Sequence, residues 1–189
     1  MLKLNNPLIL ASNSPRRKQL MHDIGFEFIV KTKETDESFS ENIPLIEVPI
    51  YLAEKKANAF KNELKNEIII TADTVVIIGD EILNKPADEK EAFEMLSLLS
   101  GRKHEVITGV CLLSENKKVL FSDLTEVFFK VLSKQEIIFY INKYKPFDKA
   151  GSYGAQEWMG MVAIEKIIGS YFNVMGLPVH KVYEELIKF

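Results

Sequence analysis

Apolar residues come in short blocks set apart by polar punctuation, and the spacing inside each block assigns it to strand or helix. Leu8 to Ala11 is an unbroken apolar run of strand length. Ser14 then stands at an N-cap position and Pro15 at the first helical one, predicting a helix to about Ile24 with Gly25 as its stop. Phe26 to Val30 reads as a second strand and Lys31 to Ile43 as a polar loop. Leu52, Lys56, Ala59 and Phe60 fall at helical spacing, predicting a helix from near Pro49 to Leu64. Ile68–Ile70 and Val75–Ile78 read as a central strand interrupted at Thr71–Thr74, with a turn at Gly79-Asp80. Asp88 and Glu91 form a capping-box-like pair that opens a helix ending at Ser100-Gly101. His104–Leu113 and Lys118–Val131 read as two strands, and Ser133 with Glu136 as a second capping box on a helix to about Lys143. Tyr144 to Gln156 is a loop; Met161 to Ile168 fits strand or helix by pattern and is read as a strand for Val162, Ile164, Ile167 and Ile168; Leu177-Pro178 is the opening of a last helix. Strands and helices mixed throughout, without repeats, give an α/β class.

Composition narrows the picture. A chain of 189 residues, 47% hydrophobic, can fold as one large domain or two small lobes without staples. A net charge of −3 argues against broad nucleic-acid binding, which demands a positive face. The one cysteine, Cys111, lies in an apolar run; it excludes a disulfide framework within the chain and fits a cytoplasmic location. Lys3 is followed by no long apolar leader core, and no apolar run approaches the roughly 20 residues of a membrane span.

Two segments carry the strongest chemical signal. Ser12-Asn13-Ser14-Pro15-Arg16-Arg17 places hydroxyl and guanidinium donors beside the unpaired N–H groups of a helix start, an arrangement suited to phosphate. The same residues also describe a capped surface helix with two solvated arginines. Asp148 to Glu157 is a polar, glycine-bearing segment in which Tyr153 and Gln156 offer an aromatic face and an amide to a base. Asp73, among strand formers, is a candidate general base or metal ligand, or else a carboxylate at a strand break facing water. Glu34, Asp36 and Glu37 are oxygen donors of the kind Mg²⁺ or Mn²⁺ takes, or a solvated loop. Lys56 either snorkels or reaches a phosphate, and Lys85, held extended before Pro86, can point into a cleft. His104 and Thr108 read as structural unless a partner is found.

In this order the segments resemble the Maf family of nucleotide pyrophosphatases. The likeness runs through Leu8–Arg17, Ala53–Ala57, Thr71–Val76, Lys85-Pro86, Gly101-Arg102 with His104, Thr108–Val110, the Asp148–Gln156 loop and Gly169–Pro178. It implies a single domain over residues 1–189: an elongated mixed sheet with flanking helices, two lobes around a central cleft, as in the inosine triphosphatase-like folds. It implies hydrolysis between the α- and β-phosphates of a nucleoside triphosphate, assisted by a divalent cation (Mg²⁺ or Mn²⁺). Asp73 matches the proton acceptor. Ser12, Arg16, Lys56 and Lys85 match positions credited with substrate, Glu34 and Asp73 with metal, and Arg16, Thr74 and Gln156 with base choice. The Asp148–Gln156 loop resembles the subgroup acting on dTTP and UTP. A cytoplasmic homodimer with a house-cleaning role is implied, with no membrane and no stable nucleic-acid partner. Two other readings stand beside it: a pyrophosphatase of the same fold for 7-methyl-GTP or modified nucleotides, and a non-enzymatic regulator of cell division. Asn13 and Asn84 occupy positions where the family favours glycine.

Overall fold

The computed structural model describes Leu4 and residues 6–189. The leader expectation falls partly on Met1, Leu2, Lys3 and Asn5, which lie outside the described residues. The strands are β1 (Leu8–Leu10), β2 (Ile29–Val30), β3 (Ile68–Ile78), β4 (Glu81–Leu83), β5 (Lys103–Leu113), β6 (Lys118–Phe129) and β7 (Ile164–Ile168). The helices are α1 (Pro15–Asp23), α2 (Val48–Asn58), α3 (Glu89–Leu99), α4 (Lys134–Tyr144), α5 (Trp158–Val162), α6 (Tyr171–Val174) and α7 (Val179–Leu186). Among the described residues, seven strands form one sheet in the order β2-β1-β3-β5-β6-β7, with β4 paired to β3 off this path. β1 runs parallel to β2 and to β3, where Leu8–Leu10 oppose Ile68–Ile70. β3 pairs antiparallel with β4, and β6 with β7, so the sheet is mixed and the class is α/β.

Several boundaries differ from the sequence expectation. β3 is continuous through Thr71–Thr74. Threonine suits a pleated strand, and the Thr71 hydroxyl donates to the Ala53 carbonyl at 2.6 Å, so it is satisfied inside the core. α2 stops at Asn58; a 3-10 turn over Lys61–Glu63 continues the winding and buries Phe60. The strand expected over Phe26–Val30 shrinks to its last two residues. Met161 and Val162 close α5, and only the β-branched run from Ile164 enters a strand. A 3-10 turn at Ala150–Ser152 and the one-turn helix α6 were not anticipated. The capping box at Ser133 and Glu136 is complete, whereas Glu91 reaches past Asp88 to the Ala87 N–H.

The chain divides into two compact units. The first comprises residues 1–74, 108–123 and 176–189. Its core packs Ile9 and Ile69 against Ala53, Ala57 and Phe60, with Cys111 among them. Gly109 is required there: a Cβ on it would stand 2.3 Å from the Ile50 nitrogen, so β5 and α2 meet backbone to backbone. The second comprises residues 75–107 and 124–175. Leu96 and Leu99 of α3, Ile137 and Tyr140 of α4, Val127 and Met159 fill its core.

Candidate functional site

In the first unit, β1 delivers the chain to the start of α1. Ser12 is buried, and its Oγ accepts from the Ser14 N–H at 3.2 Å. Ser14 caps the helix by accepting from the Arg17 N–H at 3.4 Å, and Pro15 occupies the first turn, where no N–H is needed. Arg16, half-buried, follows on that first turn.

Arg17 departs from expectation. Its guanidinium donates to the Gly176 carbonyl at 2.7 Å, the Ala72 carbonyl at 2.8 Å and the Thr74 hydroxyl at 2.9 Å. All three acceptors belong to the protein, so Arg17 is a strut joining α1, β3 and the Gly176 turn rather than a solvated phosphate donor. Burial pushes its pKa below the usual guanidinium value, and the nearby Asp73 carboxylate opposes that shift. Thr74 is correspondingly engaged, with its Oγ1 also 2.9 Å from the Thr108 hydroxyl.

Asp73 lies in the middle of β3, mostly covered. Lys56 of α2 holds its Oδ1 at 2.6 Å and the Glu37 Oε1 at 2.7 Å. Lys56 therefore gathers two carboxylates, one from the sheet and one from the polar loop. The loop carboxylate that meets Lys56 is Glu37; Glu34 and Glu37 are both exposed. Loop sequence carries no periodicity from which that choice can be read. Ser12, Arg16, Lys56, Asp73 and Thr74 all belong to this unit, and the Arg17 guanidinium feels Asp73, Arg16 and Glu37 together.

Lys85 and Gln156 belong to the second unit. Lys85 is exposed just after β4, ahead of buried Pro86. Gln156 lies in the turn Gly154–Glu157, closed by the Glu157 N–H donating to the Gly154 carbonyl at 3.1 Å. Its Oε1 is buried without a hydrogen-bond partner. Tyr153 offers no face to a base: it is buried, edge-on to Phe129 and His104, with its hydroxyl 2.7 Å from His104 Nε2. Burial holds the His104 imidazole down at about 3, so it is neutral and structural. Asn13 and Asn84 make no use of asparagine's tolerance for left-handed angles; among the described residues other than glycine, positive φ occurs at Lys145 and Ser152.

The family model described as Maf-like protein matches residues 7–189. The chain belongs to the Maf family. A Cytophaga hutchinsonii protein named dTTP/UTP pyrophosphatase is 50% identical over 184 residues, covering 97% of this chain and 84% of its own length. Proteins of the same name from Bacteroides fragilis (48% identical, 95% of this chain, 94% of theirs) and Phocaeicola vulgatus (50%, 96% and 95%) match equally broadly. In this Maf chain the donor set suits a hard cation. Asp73 and Glu37 both present carboxylate oxygens to the Lys56 ammonium, and Mg²⁺ commonly takes only one or two carboxylates plus phosphate and water. Among the described residues no cluster of three or more His, Cys, Asp or Glu offers an all-protein cage. No helix among them is long and apolar enough to cross a membrane.

Proposed function

We propose that this chain is a nucleoside triphosphate pyrophosphatase that hydrolyses dTTP and UTP to the nucleoside monophosphate and pyrophosphate. The observation that carries the reading is the mid-strand Asp73 carboxylate held by Lys56 at 2.6 Å, in the same unit as the capped start of α1. Full-length relatives bearing that activity in their names support the substrate assignment.

Hydrolysis at the α-phosphorus needs an aligned water, a proton acceptor and neutralised phosphate charge. Asp73 takes the water's proton as the oxygen attacks phosphorus and pyrophosphate leaves. Lys56 fixes the orientation of the Asp73 carboxylate and contributes positive charge. Ser12 and Arg16, displayed by the α1 start, bind phosphate oxygens, and Lys85 is assigned the same role by family resemblance. A divalent cation, Mg²⁺ or Mn²⁺, would be held by Asp73 with Glu34 or Glu37, and when bound it polarises the phosphoryl oxygens. Gln156 serves base choice because an amide offers one donor and one acceptor to the O4 and N3–H edge of uracil or thymine. Arg16 and Thr74 assist it, Thr74 through its place in the Arg17 cluster.

One family match over residues 7–189 supports treating the chain as one Maf-like domain, and the buried lone cysteine supports a reducing, cytoplasmic setting. Homodimerisation is part of the same proposal and is tested by sedimentation. The deciding experiment is pyrophosphate release from a nucleotide panel, including dTTP, UTP, CTP and 7-methyl-GTP, with Mg²⁺, with Mn²⁺ and with chelator. Monophosphate plus pyrophosphate from dTTP and UTP, lost on chelation, is expected. Release from 7-methyl-GTP alone, or from no nucleotide, overturns the reading.

A further inference from the structure

The second unit contains a buried hydroxyl whose placement the catalytic proposal does not use. Tyr140 of α4 is fully buried, stacked on Tyr144 with ring centroids 5.0 Å apart. Its hydroxyl accepts from the Gly154 N–H at 3.0 Å and donates to the Glu157 carboxylate. Gly154 and Glu157 are the first and last residues of the turn that carries Gln156. One hydroxyl thus ties both ends of that turn.

The surroundings leave the turn little freedom. Lys149, nearly buried, meets Glu157 at 3.1 Å and Asp148 at 2.7 Å. A Cβ on Gly154 would stand 2.9 Å from the Glu157 carboxyl carbon, so a side chain there would displace the Glu157 carboxylate. Just upstream, Gly151 and Ser152 both hold positive φ, at 66° and 61°, a conformation that costs a serine energy and persists only when neighbours enforce it. The His104–Tyr153 bond pins the residue entering the turn. Within this frame the Gln156 Oε1 is shut off from water with no donor, an arrangement that costs the folded state stability. A rigid turn is what sustains such a cost.

We propose that Tyr140, acting through Glu157 and the Gly154 backbone, is the positioning residue that holds Gln156 for selection of uracil and thymine over cytosine. The inference rests on the assignment of Gln156 to base choice. Tyr140 touches no substrate. Its role is to keep the amide from adapting its orientation to the reversed donor and acceptor pattern of cytosine.

The test is kcat/KM for UTP and for CTP in the wild type, Tyr140→Phe, Glu157→Ala and Glu157→Gln, beside thermal stability. Tyr140→Phe removes only the hydroxyl and keeps the packed ring. The UTP-over-CTP ratio is expected to fall about tenfold, mainly through better use of CTP, with kcat for UTP held within about threefold. Glu157→Ala should reproduce the loss, while Glu157→Gln, which retains an acceptor for the Tyr140 hydroxyl, should restore most of the ratio. A purely structural Tyr140 lowers the melting temperature and leaves the ratio alone. An active wild type with an unchanged ratio in both Tyr140→Phe and Glu157→Ala overturns this inference and spares the proposed activity. A wild type inert toward UTP and dTTP, or indifferent between UTP and CTP, overturns the underlying assignment and this inference with it.

Discussion

Asp73→Asn exchanges one carboxylate oxygen for an amide nitrogen and leaves the β3 backbone untouched. A proton acceptor typically contributes about 10²–10⁴-fold, so pyrophosphate release should fall by about that factor in a variant that still folds, at a lowered melting temperature because Lys56 loses its charge partner. Wild-type turnover in the folded variant would remove Asp73 as the base. His104 makes a second prediction at this scale. Its folded value, about 3, lies below the ordinary 6.5. Between those values the unfolded chain binds a proton that the native chain refuses. The stability this burial confers is complete above pH about 6.5 and drains away as pH falls toward 3, by at most about 1.4 kcal/mol per unit. His104→Gln keeps a partner for Tyr153 and does not titrate. The difference in unfolding free energy between wild type and His104→Gln should therefore narrow from pH 7 to pH 5, by denaturant titration; a difference independent of pH refutes the assignment.

Elements in this chain are specified unevenly, and Gly109 shows why. Nothing in its sequence neighbourhood separates it from any glycine in a strand, yet it is where β5 meets the Pro49–Ile50 backbone. Gly109→Ala must push α2 away or distort β5, a cost of about 1–3 kcal/mol by analogy with overpacked cores. A lowered denaturation midpoint or insoluble expression is expected, and wild-type stability would mean that α2 yields freely. Capped helices with flanking glycine or proline were legible, as at Ser14 and Ser133, because the cap is a local hydrogen bond written in adjacent residues. The continuity of β3 was not, because Thr71 and Asp73 are satisfied by Ala53 and Lys56, partners 17 or 18 positions away along the chain. The same limit governs the candidate site. Asp73 and Lys56 stood out individually, but the pairing of Lys56 with Glu37 and the conversion of Arg17 into a strut depend on contacts that local patterns do not encode.

For the molecule as a whole, the position of its one thiol has a practical outcome. Cys111 is wholly covered in the core of the first unit, and burial raises its pKa to about 12, so the native chain presents almost no thiolate. A disulfide-exchange reagent should react negligibly under native conditions and stoichiometrically in denaturant; rapid native labelling would contradict the burial. The sulfur is thus a molecular clock whose ticks are excursions out of the folded state. Its labelling rate measures how often the protein opens, without any appended dye. If UTP binds only the folded form, saturating nucleotide without metal should slow that clock in proportion to one plus the ratio of ligand concentration to Kd. Substrate recognition can then be weighed in molecules that never turn over.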